Sequence, residues 1–202
     1  MHNKTKKNYQ AVVIGSSAGG IQALTAVLSP LPKDFPLPII IVQHLHPHSN
    51  SYLSRILEHH SQLKVKQADE KEKILDGWVY VAPPAYHLLI EEDRTFSLSI
   101  DQPVKYARPS VDVMFETATY AYRENLIGII LTGANNDGCD GAKRIKKMGG
   151  YIIVQDPKTA VAASMPEAAI EHVNVDKVLP LYKIGEYLLQ LINQPERTLK
   201  LK

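Results

Sequence analysis

Residues 11–20, which read Ala-Val-Val-Ile-Gly-Ser-Ser-Ala-Gly-Gly, decide the fold that we expect for this chain. Their apolar start, residues 11–14, is short and rich in β-branched side chains, which indicates a buried parallel strand ending at Gly15. Beyond the glycines, apolar residues recur at helical spacing, at Ile21, Leu24, Val27, Leu28 and Leu31. A strand that passes through a glycine-rich turn into a helix is typical of an α/β fold.

The same alternation of strand and helix continues along the chain. Residues 38–42, 126–131 and 151–154 are further apolar runs that predict buried strands. Apolar residues at helical spacing form three more sets: Tyr52, Leu53, Ile56 and Leu57 after the start signal Ser49-Asn50-Ser51, then Val111, Met114, Phe115, Ala118 and Tyr122 after Ser110, and finally Ile184, Leu188, Leu191 and Ile192. Such βα repeats favour parallel strands joined by right-handed crossovers.

The middle of the chain has a different pattern. Residues 78–81, 87–90 and 95–100 are short strand-like runs that predict an antiparallel meander or hairpin, and the charged residues 69–73 predict a solvated loop,. We therefore expect an α/β fold with a doubly wound, mostly parallel sheet in a Rossmann-like three-layer arrangement and a small antiparallel hairpin. Residues 1–202 are expected to form one domain, with a core over about 9–194 and basic tails at both ends.

Composition and charge exclude several classes of protein. The 202 residues include 23 Lys and Arg against 21 Asp and Glu, and this net charge of +2 is too balanced to indicate nucleic-acid binding,. Cys139 is the single cysteine and cannot form an internal disulfide, which favours a reducing compartment,. No apolar stretch approaches the ~20 residues of a spanning helix, and no export signal is visible, so we expect a cytoplasmic protein without membrane insertion.

The turn after the first strand contains a Gly-x-Ser-x-Gly motif centred on Ser17. A serine at a strand-to-helix turn can act as a nucleophile, because the free N–H groups of the following helix can stabilise an oxyanion. The alternative is a serine that caps the helix or binds phosphate. A dinucleotide site is disfavoured, since Ser17 replaces the second glycine of that motif and the second strand ends in Gln43-His44 without an acidic residue,.

Histidines follow the second predicted strand at positions 44, 46 and 48. His44 lies beside the serine-bearing strand and could act as the general base for Ser17. A metal site that uses His44 and His46 is the competing interpretation, although no second cluster of ligands completes it. His46, His48, His59 and His60 are otherwise expected to be surface or capping residues.

Asp137 follows the third predicted strand in the sequence Thr-Gly-Ala-Asn-Asn-Asp-Gly. It could hold an imidazole in the required tautomer, although an Asn-Asp-Gly sequence on its own is more often a turn or a helix cap. A serine, a histidine and an aspartate thus each follow a predicted parallel strand. Their order along the chain differs from the Ser-Asp-His order of the α/β-hydrolases, which disfavours that family.

These segments together resemble the catalytic domain of the chemotaxis protein-glutamate methylesterases, the CheB family. The matching segments lie in the family's order and cover nearly the whole chain: residues 14–20, 43–44, 80–83 with His87, 108–115, 131–133 with 136–138, and Met165-Pro166. The resemblance implies a serine hydrolase that needs neither a metal nor an organic cofactor.

The resemblance also assigns roles to individual residues. It places the nucleophile at Ser17, the base at His44 and the orienting carboxylate at Asp137, and it places the oxyanion donors at the backbone N–H groups of Ala18 and Ala134. Ser16 is expected to be a bystander. Arg108 and Met165-Pro166 match the family but are not expected to be catalytic.

The implied reaction is demethylation of glutamyl γ-methyl esters on methyl-accepting chemotaxis receptors, with methanol released, and deamidation of receptor glutamines by the same route. The expected partners are receptor helices, bound in an open groove, with a receiver domain or a methyltransferase as further candidates. Full-length enzymes of this family carry an N-terminal receiver domain, whereas this sequence begins about ten residues before its first predicted strand, so we expect a stand-alone enzyme or an excised domain. The alternative function is a non-catalytic signalling or docking module of the same fold.

Overall fold

Seven parallel strands form the central sheet of the protein, for which a computed structural model describes residues 8–44 and 52–193. Their order across the sheet is β3-β4-β2-β1-β7-β8-β9, and two further strands, β5 and β6, form a separate antiparallel hairpin. The strands are β1 (Ala11–Ser16), β2 (Ile39–Gln43), β3 (Lys64–Gln67), β4 (Trp78–Val81), β5 (His87–Ile90), β6 (Phe96–Ser99), β7 (Leu126–Ile130), β8 (Tyr151–Gln155) and β9 (Lys177–Leu179). This arrangement confirms the predicted doubly wound sheet with a hairpin addition.

Within the described residues, six α-helices cover the two faces of the sheet. They are α1 (Gly20–Leu28), α2 (Leu53–His59), α3 (Val111–Tyr122), α4 (Cys139–Lys147), α5 (Ser164–His172) and α6 (Leu181–Ile192). Helices α1, α2 and α6 pack on one face, and helices α3, α4 and α5 pack with the hairpin on the other. No helix in the described ranges is both long and apolar enough to cross a membrane.

The alternation of side chains along β1 explains why both faces are covered. Val12 and Ile14 point into the core beneath α1 and α6, whereas Ala11 and Val13 point into the core beneath α3, and all four are fully buried. A strand that is apolar on both faces is stable only when helices exclude water from each side. The short β-branched runs of the sequence therefore mark the strands at the centre of the sheet.

The order of the strands reverses beside β1. The chain proceeds from β1 to β2 in one direction across the sheet, and later from β7 to β8 and β9 in the other. Strands β1 and β7 are neighbours in register, with Gly15 beside Ile130. A crevice opens beyond the carboxyl ends of two such strands, and open α/β sheets bind their ligands there.

The prediction for residues 78–81 was wrong in its pairing. This run is β4, a parallel strand between β2 and β3, and only β5 and β6 form the expected antiparallel hairpin. Strands β3 and β9 lie at the two edges of the sheet and were not predicted. Their sequences, Lys-Val-Lys-Gln and Lys-Val-Leu, are too short and too polar to show a strand pattern.

Two smaller expectations have different outcomes. Residues 69–73 form the predicted loop and are largely exposed, and the loop is in addition hydrogen-bonded to the hairpin, since the Lys71 N–H donates to the Phe96 carbonyl at 2.8 Å. In α2, Leu53 and Leu57 are buried, whereas Tyr52 and Ile56 are 54% and 37% exposed and do not share the buried face. The start signal at residues 49–51 lies outside the described residues.

Candidate active site

Ser17 lies at the carboxyl end of β1, in the turn that leads into α1. The backbone of this turn is fixed from both sides, because the Ser17 N–H donates to the Thr132 carbonyl at 2.9 Å and the Ser17 carbonyl accepts from the Gly20 N–H at 2.8 Å. Gly19 adopts a left-handed conformation with φ of 77°, which a glycine tolerates without steric cost,. The result is a partly exposed serine on a rigid backbone at the switch point of the sheet.

The loop after β7 packs tightly against this turn. A Cβ atom placed on Gly133 would lie 2.9 Å from the Ser17 Cβ and 1.9 Å from the Met165 Sδ, so only glycine fits at this position. The close approach brings Ala134, the next residue of the loop, to the same edge as Ser17. Met165 is buried and packs on Gly133, and this packing is consistent with the expectation that it is not catalytic.

A buried glutamine joins the ends of β1 and β2. The Gln43 side-chain amide donates to the Ser17 carbonyl at 2.9 Å and to the His44 carbonyl at 2.8 Å. Its Oε1 atom accepts a hydrogen bond of 2.7 Å from the Ser16 hydroxyl, which is itself buried. Ser16 is therefore more than the predicted bystander, since it orients the side chain that holds the backbone of both neighbouring site residues.

The structure brings His44 and Asp137 into direct contact. The His44 Nε2 atom lies 2.8 Å from the Asp137 Oδ2 atom, and the His44 Nδ1 atom lies 3.4 Å from the Asn135 side-chain nitrogen. An ionised carboxylate can only accept hydrogen bonds, so Nε2 carries the proton and Nδ1 keeps its lone pair. Nδ1 is therefore the nitrogen that carries the lone pair, and it faces the Asn135 side-chain amide.

Asp137 is buried at the N-terminus of α3. Its carboxylate accepts hydrogen bonds from the Ser110 hydroxyl at 2.8 Å, from the Val111 N–H at 2.7 Å and from the Asp112 N–H at 3.0 Å, in addition to the bond from His44. Burial alone would raise the pKa of Asp137, but the hydrogen bonds from His44 and from the helix backbone outweigh it and lower the pKa below its usual value,. Asp137 is thus a fixed negative charge near neutral pH.

The N-terminus of α3 is itself held by a second histidine. The Ser110 N–H donates to the His87 Nδ1 at 3.2 Å, and the His87 Nε2 lies 3.1 Å from the Gln102 carbonyl. His87 is buried, and both of its ring nitrogens are used in this way. Its role is to fix the helix end on which Asp137 depends.

An ion pair lies beside Asp137. The Lys105 Nζ atom is 2.7 Å from Asp112 and 2.8 Å from Asp140. Burial, together with the neighbouring Asp137, raises the pKa of Asp112. Burial would lower the pKa of Lys105, but its hydrogen bonds to Asp112 and Asp140 outweigh that effect and raise the pKa. The lysine thus partly neutralises the acidic groups at the start of α3 and α4.

Ser17 and His44 are adjacent through the backbone, since the His44 N–H donates to the Ser16 carbonyl at 3.0 Å. Within the part of the chain that the structure describes, no hydrogen bond joins the Ser17 hydroxyl to the His44 ring. Ala18 and Ala134 are exposed, and their N–H groups have no hydrogen-bond acceptor among residues 8–44 and 52–193. Catalytic hydrogen bonds are often made only when substrate binds, so this geometry leaves the predicted roles as predictions.

His46, the second ligand of the alternative metal site, lies outside the described residues, as does His48. Among residues 8–44 and 52–193, no group of three or more His, Cys, Asp or Glu side chains is arranged to hold a metal ion. His59 and His60 are exposed at the end of α2, in agreement with the prediction of surface histidines.

The sequence assigned no role to four residues that build the site, namely Gln43, Ser110, Thr132 and Asn135. The Thr132 hydroxyl donates to the Ala18 carbonyl at 2.8 Å, and the Asn135 side-chain oxygen accepts from the Asp137 N–H at 3.2 Å. Gln43, Ser110 and Thr132 lie in segments that carry the family resemblance, near the end of a strand or the start of a helix. Asn135 lies in the middle of the loop after β7, where no such signal marks it. By contrast, Arg108 binds the carbonyls of Ile100 and Asp101, as its predicted structural role requires.

A surface cleft of about 560 Å³ lies away from Ser17, at the end of the sheet where the strands begin. It is lined by Lys33, Asp34, Lys64, Asp76, Gly77 and Trp78, which lie near the amino ends of β2, β3 and β4. Its lining contains no arrangement of nucleophile, base and carboxylate. The chemistry of the side chains, and not the size of the cleft, therefore identifies the candidate active site.

Comparisons with known proteins identify the family. The model of the CheB methylesterase family matches residues 12–188. A Leptospira interrogans protein, whose name gives protein-glutamate methylesterase and protein-glutamine glutaminase activities provisionally, is 55% identical over 91% of this chain and 95% of its own length. The Thermotoga maritima protein-glutamate methylesterase/protein-glutamine glutaminase is 40% identical, and the match covers 90% of this chain but 54% of that protein. The crystal structure of the Thermotoga maritima CheB methylesterase catalytic domain has a TM-score of 0.87 at 39% identity, covering 91% of this chain and 98% of that domain.

Proposed function

Since the chain belongs to the CheB methylesterase family, we propose that it is a serine hydrolase that removes methyl groups from glutamyl γ-esters of proteins. In this proposal Ser17 is the nucleophile, His44 the general base and Asp137 the group that orients the base. The observation that carries the proposal is the 2.8 Å bond between His44 Nε2 and the buried Asp137 carboxylate. In this proposal Nδ1 is the basic nitrogen, and the backbone bond from the His44 N–H to the Ser16 carbonyl supports its approach to Ser17.

The reaction follows from these positions. The Ser17 oxygen attacks the ester carbonyl carbon while Nδ1 takes the hydroxyl proton, and Asp137 stabilises the imidazolium that forms. The N–H groups of Ala18 and Ala134 stabilise the tetrahedral oxyanion. The methoxide group leaves as methanol with the proton from Nδ1, and a water molecule, activated by the same nitrogen, then hydrolyses the acyl-enzyme to the free glutamate. A glutamine side chain would react in the same way and release ammonia.

We propose methyl-accepting chemotaxis receptors in the cytoplasm as the substrate proteins, and residues 1–202 as a single catalytic unit. Ala18 and Ala134 are exposed and Ser17 is partly exposed, so the site is open enough to accept a side chain that projects from a helix. A protein substrate would make most of its contacts away from the ester. We therefore expect fast hydrolysis on an intact receptor helix and slow hydrolysis of small free methyl esters.

The test is methanol release from a methylated receptor fragment. We expect turnover by the wild-type chain, loss of turnover in Ser17→Ala and in His44→Gln, and a selective adduct of a serine-directed phosphonate on Ser17. Turnover should persist in the presence of a chelator. Normal turnover by Ser17→Ala would contradict the serine mechanism. Loss of turnover in the presence of the chelator would favour the metal site. A wild-type chain that shows neither adduct nor turnover would favour the docking module.

A further inference from the structure

A tight turn at residues 104–107 contains two side chains in an unfavourable backbone conformation. Val104 and Ala107 exchange both of their backbone hydrogen bonds, at 3.1 Å and 2.9 Å, so Lys105 and Tyr106 are the two central residues of a hairpin turn. Their φ angles are 48° and 64°. Turns with two positive φ angles strongly prefer Asn-Gly or Asp-Gly, because other side chains are strained there. Lys-Tyr is therefore an unexpected pair at this position.

The contacts of Lys105 explain its presence. Besides its ion pairs with Asp112 and Asp140, its Nζ atom lies 3.3 Å from the Asn136 carbonyl. These three contacts connect the turn to the starts of α3 and α4 and to the loop that contains Asp137. The strain at Lys105 is thus offset by interactions within the protein.

The packing of the protein does not explain Tyr106. Its exposed fraction is 103%, the highest of any large apolar side chain in the part of the chain that the structure describes. A fully exposed ring contributes no burial to folding, whereas glycine at the same φ would avoid the strain. Strained residues without a role in stability are typical of sites that contact a ligand.

The segment that presents Tyr106 is held rigidly. The Gln102 carbonyl lies 3.1 Å from the His87 Nε2, and Arg108 donates to the carbonyls of Ile100 and Asp101 at 2.6 Å and 2.9 Å. Together with Lys105, these bonds fix the chain on both sides of the turn. A rigid aromatic side chain loses little conformational entropy on binding, which makes it an effective anchor for a partner.

The turn also lies close to the reacting groups. Asn136, which Lys105 contacts, is the residue before Asp137 and the residue after Asn135, whose side chain faces the His44 ring. A helix is about 10 Å across, so a polypeptide that presents a side chain to Ser17 would extend over the neighbouring loops. Tyr106 lies on one of these loops.

We propose that Tyr106 is a substrate-contact residue that binds the polypeptide around the reacting ester, and not the ester itself. This inference rests on the proposed function, because it assigns a protein substrate to the same site. The chemistry that the ring fits is the apolar and aliphatic surface of a helix segment beside the methylated glutamate. Tyr106 would thereby make the enzyme select proteins over small esters.

The experiment compares Tyr106→Gly, Tyr106→Phe and the wild-type chain on two substrates: a methylated receptor fragment, and the γ-methyl ester of an N-acetylated glutamate amide. We expect the ratio of kcat/KM for the fragment to kcat/KM for the small ester to fall about tenfold in Tyr106→Gly, mainly through a higher KM for the fragment. Tyr106→Phe should retain most of the ratio. Tyr106→Gly should melt no lower than the wild type, since glycine relieves the strained φ.

Tyr120→Ala serves as the matched control, because Tyr120 is a half-exposed tyrosine on α3 with no place in the site. A ratio that is unchanged in Tyr106→Gly, or that falls equally in Tyr120→Ala, would overturn the inference. Binding of the fragment to Ser17→Ala, with and without Tyr106→Gly, provides a readout independent of turnover. If the wild-type chain hydrolyses neither substrate, the proposed function fails. Weaker binding of the fragment to the double variant than to Ser17→Ala would then still support the contact at Tyr106. An unchanged Kd for the fragment would contradict that contact.

Discussion

The Ser17 turn and the Asp137 loop meet at the same edge of the sheet, but they are held in different ways. The Ser17 turn is fixed through its backbone, by hydrogen bonds to Thr132 and Gly20 and by the close packing of Gly133. Asp137 is fixed through its side chain, which accepts four hydrogen bonds. A nucleophile needs a free side chain on a rigid backbone, whereas an orienting carboxylate needs a side chain without freedom.

The difference predicts that the Ser17 side chain matters for the reaction but little for stability, whereas the Asp137 side chain matters for both. The Ser17 hydroxyl forms no hydrogen bond with the described residues, so its removal costs the folded state little. The Asp137 carboxylate accepts hydrogen bonds from the Val111 and Asp112 N–H groups at the start of α3, so its removal leaves these buried donors without an acceptor,. The following predictions test this contrast, beginning with the largest effect.

Ser17→Ala and Asp137→Ala should both reduce ester hydrolysis, each by a factor on the order of 10⁴. Only Asp137→Ala should also lower the free energy of unfolding, by roughly 1–3 kcal/mol, because the N–H groups of Val111 and Asp112 and the Ser110 hydroxyl lose their acceptor. Methanol release and urea denaturation of both variants provide the two measurements. Equal stability of the two variants would contradict the contrast.

Gly133→Ala should perturb both regions, because the added methyl group would lie 1.9 Å from the Met165 Sδ and 2.9 Å from the Ser17 Cβ. We expect a loss of roughly 1–3 kcal/mol in the free energy of unfolding, as is usual for an overpacked site, and a fall in kcat of about tenfold or more. In a Met165→Ala background the contact at sulfur is absent, so Gly133→Ala should there cost less in the free energy of unfolding than in the wild type, while its effect on kcat should be nearly unchanged. Full recovery of kcat would show that the approach to Ser17 is unimportant.

The lowered pKa of Asp137 predicts a pH dependence of stability that Ser17 lacks. A carboxyl group whose pKa is lower in the folded state stabilises the protein fully above the unfolded pKa of about 4, and this contribution is lost as the pH falls through the folded pKa. The difference in the free energy of unfolding between the wild type and Asp137→Asn should therefore shrink below about pH 4. Urea denaturation at pH 3 and pH 6 measures it, with Ser17→Ala as the control, whose difference from wild type should not change.

Ser16→Ala should have the smallest effect. It removes the 2.7 Å bond to Gln43, and we expect a loss of about 1 kcal/mol in the free energy of unfolding,. The Gln43 amide retains its bonds to the Ser17 and His44 carbonyls, so kcat/KM should fall by no more than a few fold. A loss of activity as large as that of Ser17→Ala would mean that Ser16 takes part in the reaction and would reverse the roles of the two serines.

The sequence by itself determined the central strands of the sheet and the residues that follow their carboxyl ends. Apolar runs such as residues 11–14 and 126–131 can be stable only between two layers of helices, so they predicted β1 and β7 correctly. The approach of Ser17 to the His44 ring stays a prediction, but because the carboxyl ends of parallel strands meet at one end of a sheet, the sequence also placed His44 near Asp137, as the structure has it,. These inferences succeed because they depend on local patterns.

Only the tertiary structure decided how the parts are paired and held. The parallel position of β4, the orientation of the His44 ring, and the place of Asp137 at the start of α3 all depend on residues far apart in the chain. The bond between His44 and Asp137 spans 93 positions, and no local pattern reports which ring nitrogen faces the carboxylate. Such contacts are set by the packing of whole elements, which brings together polar groups whose sequence neighbours carry no sign of the partner.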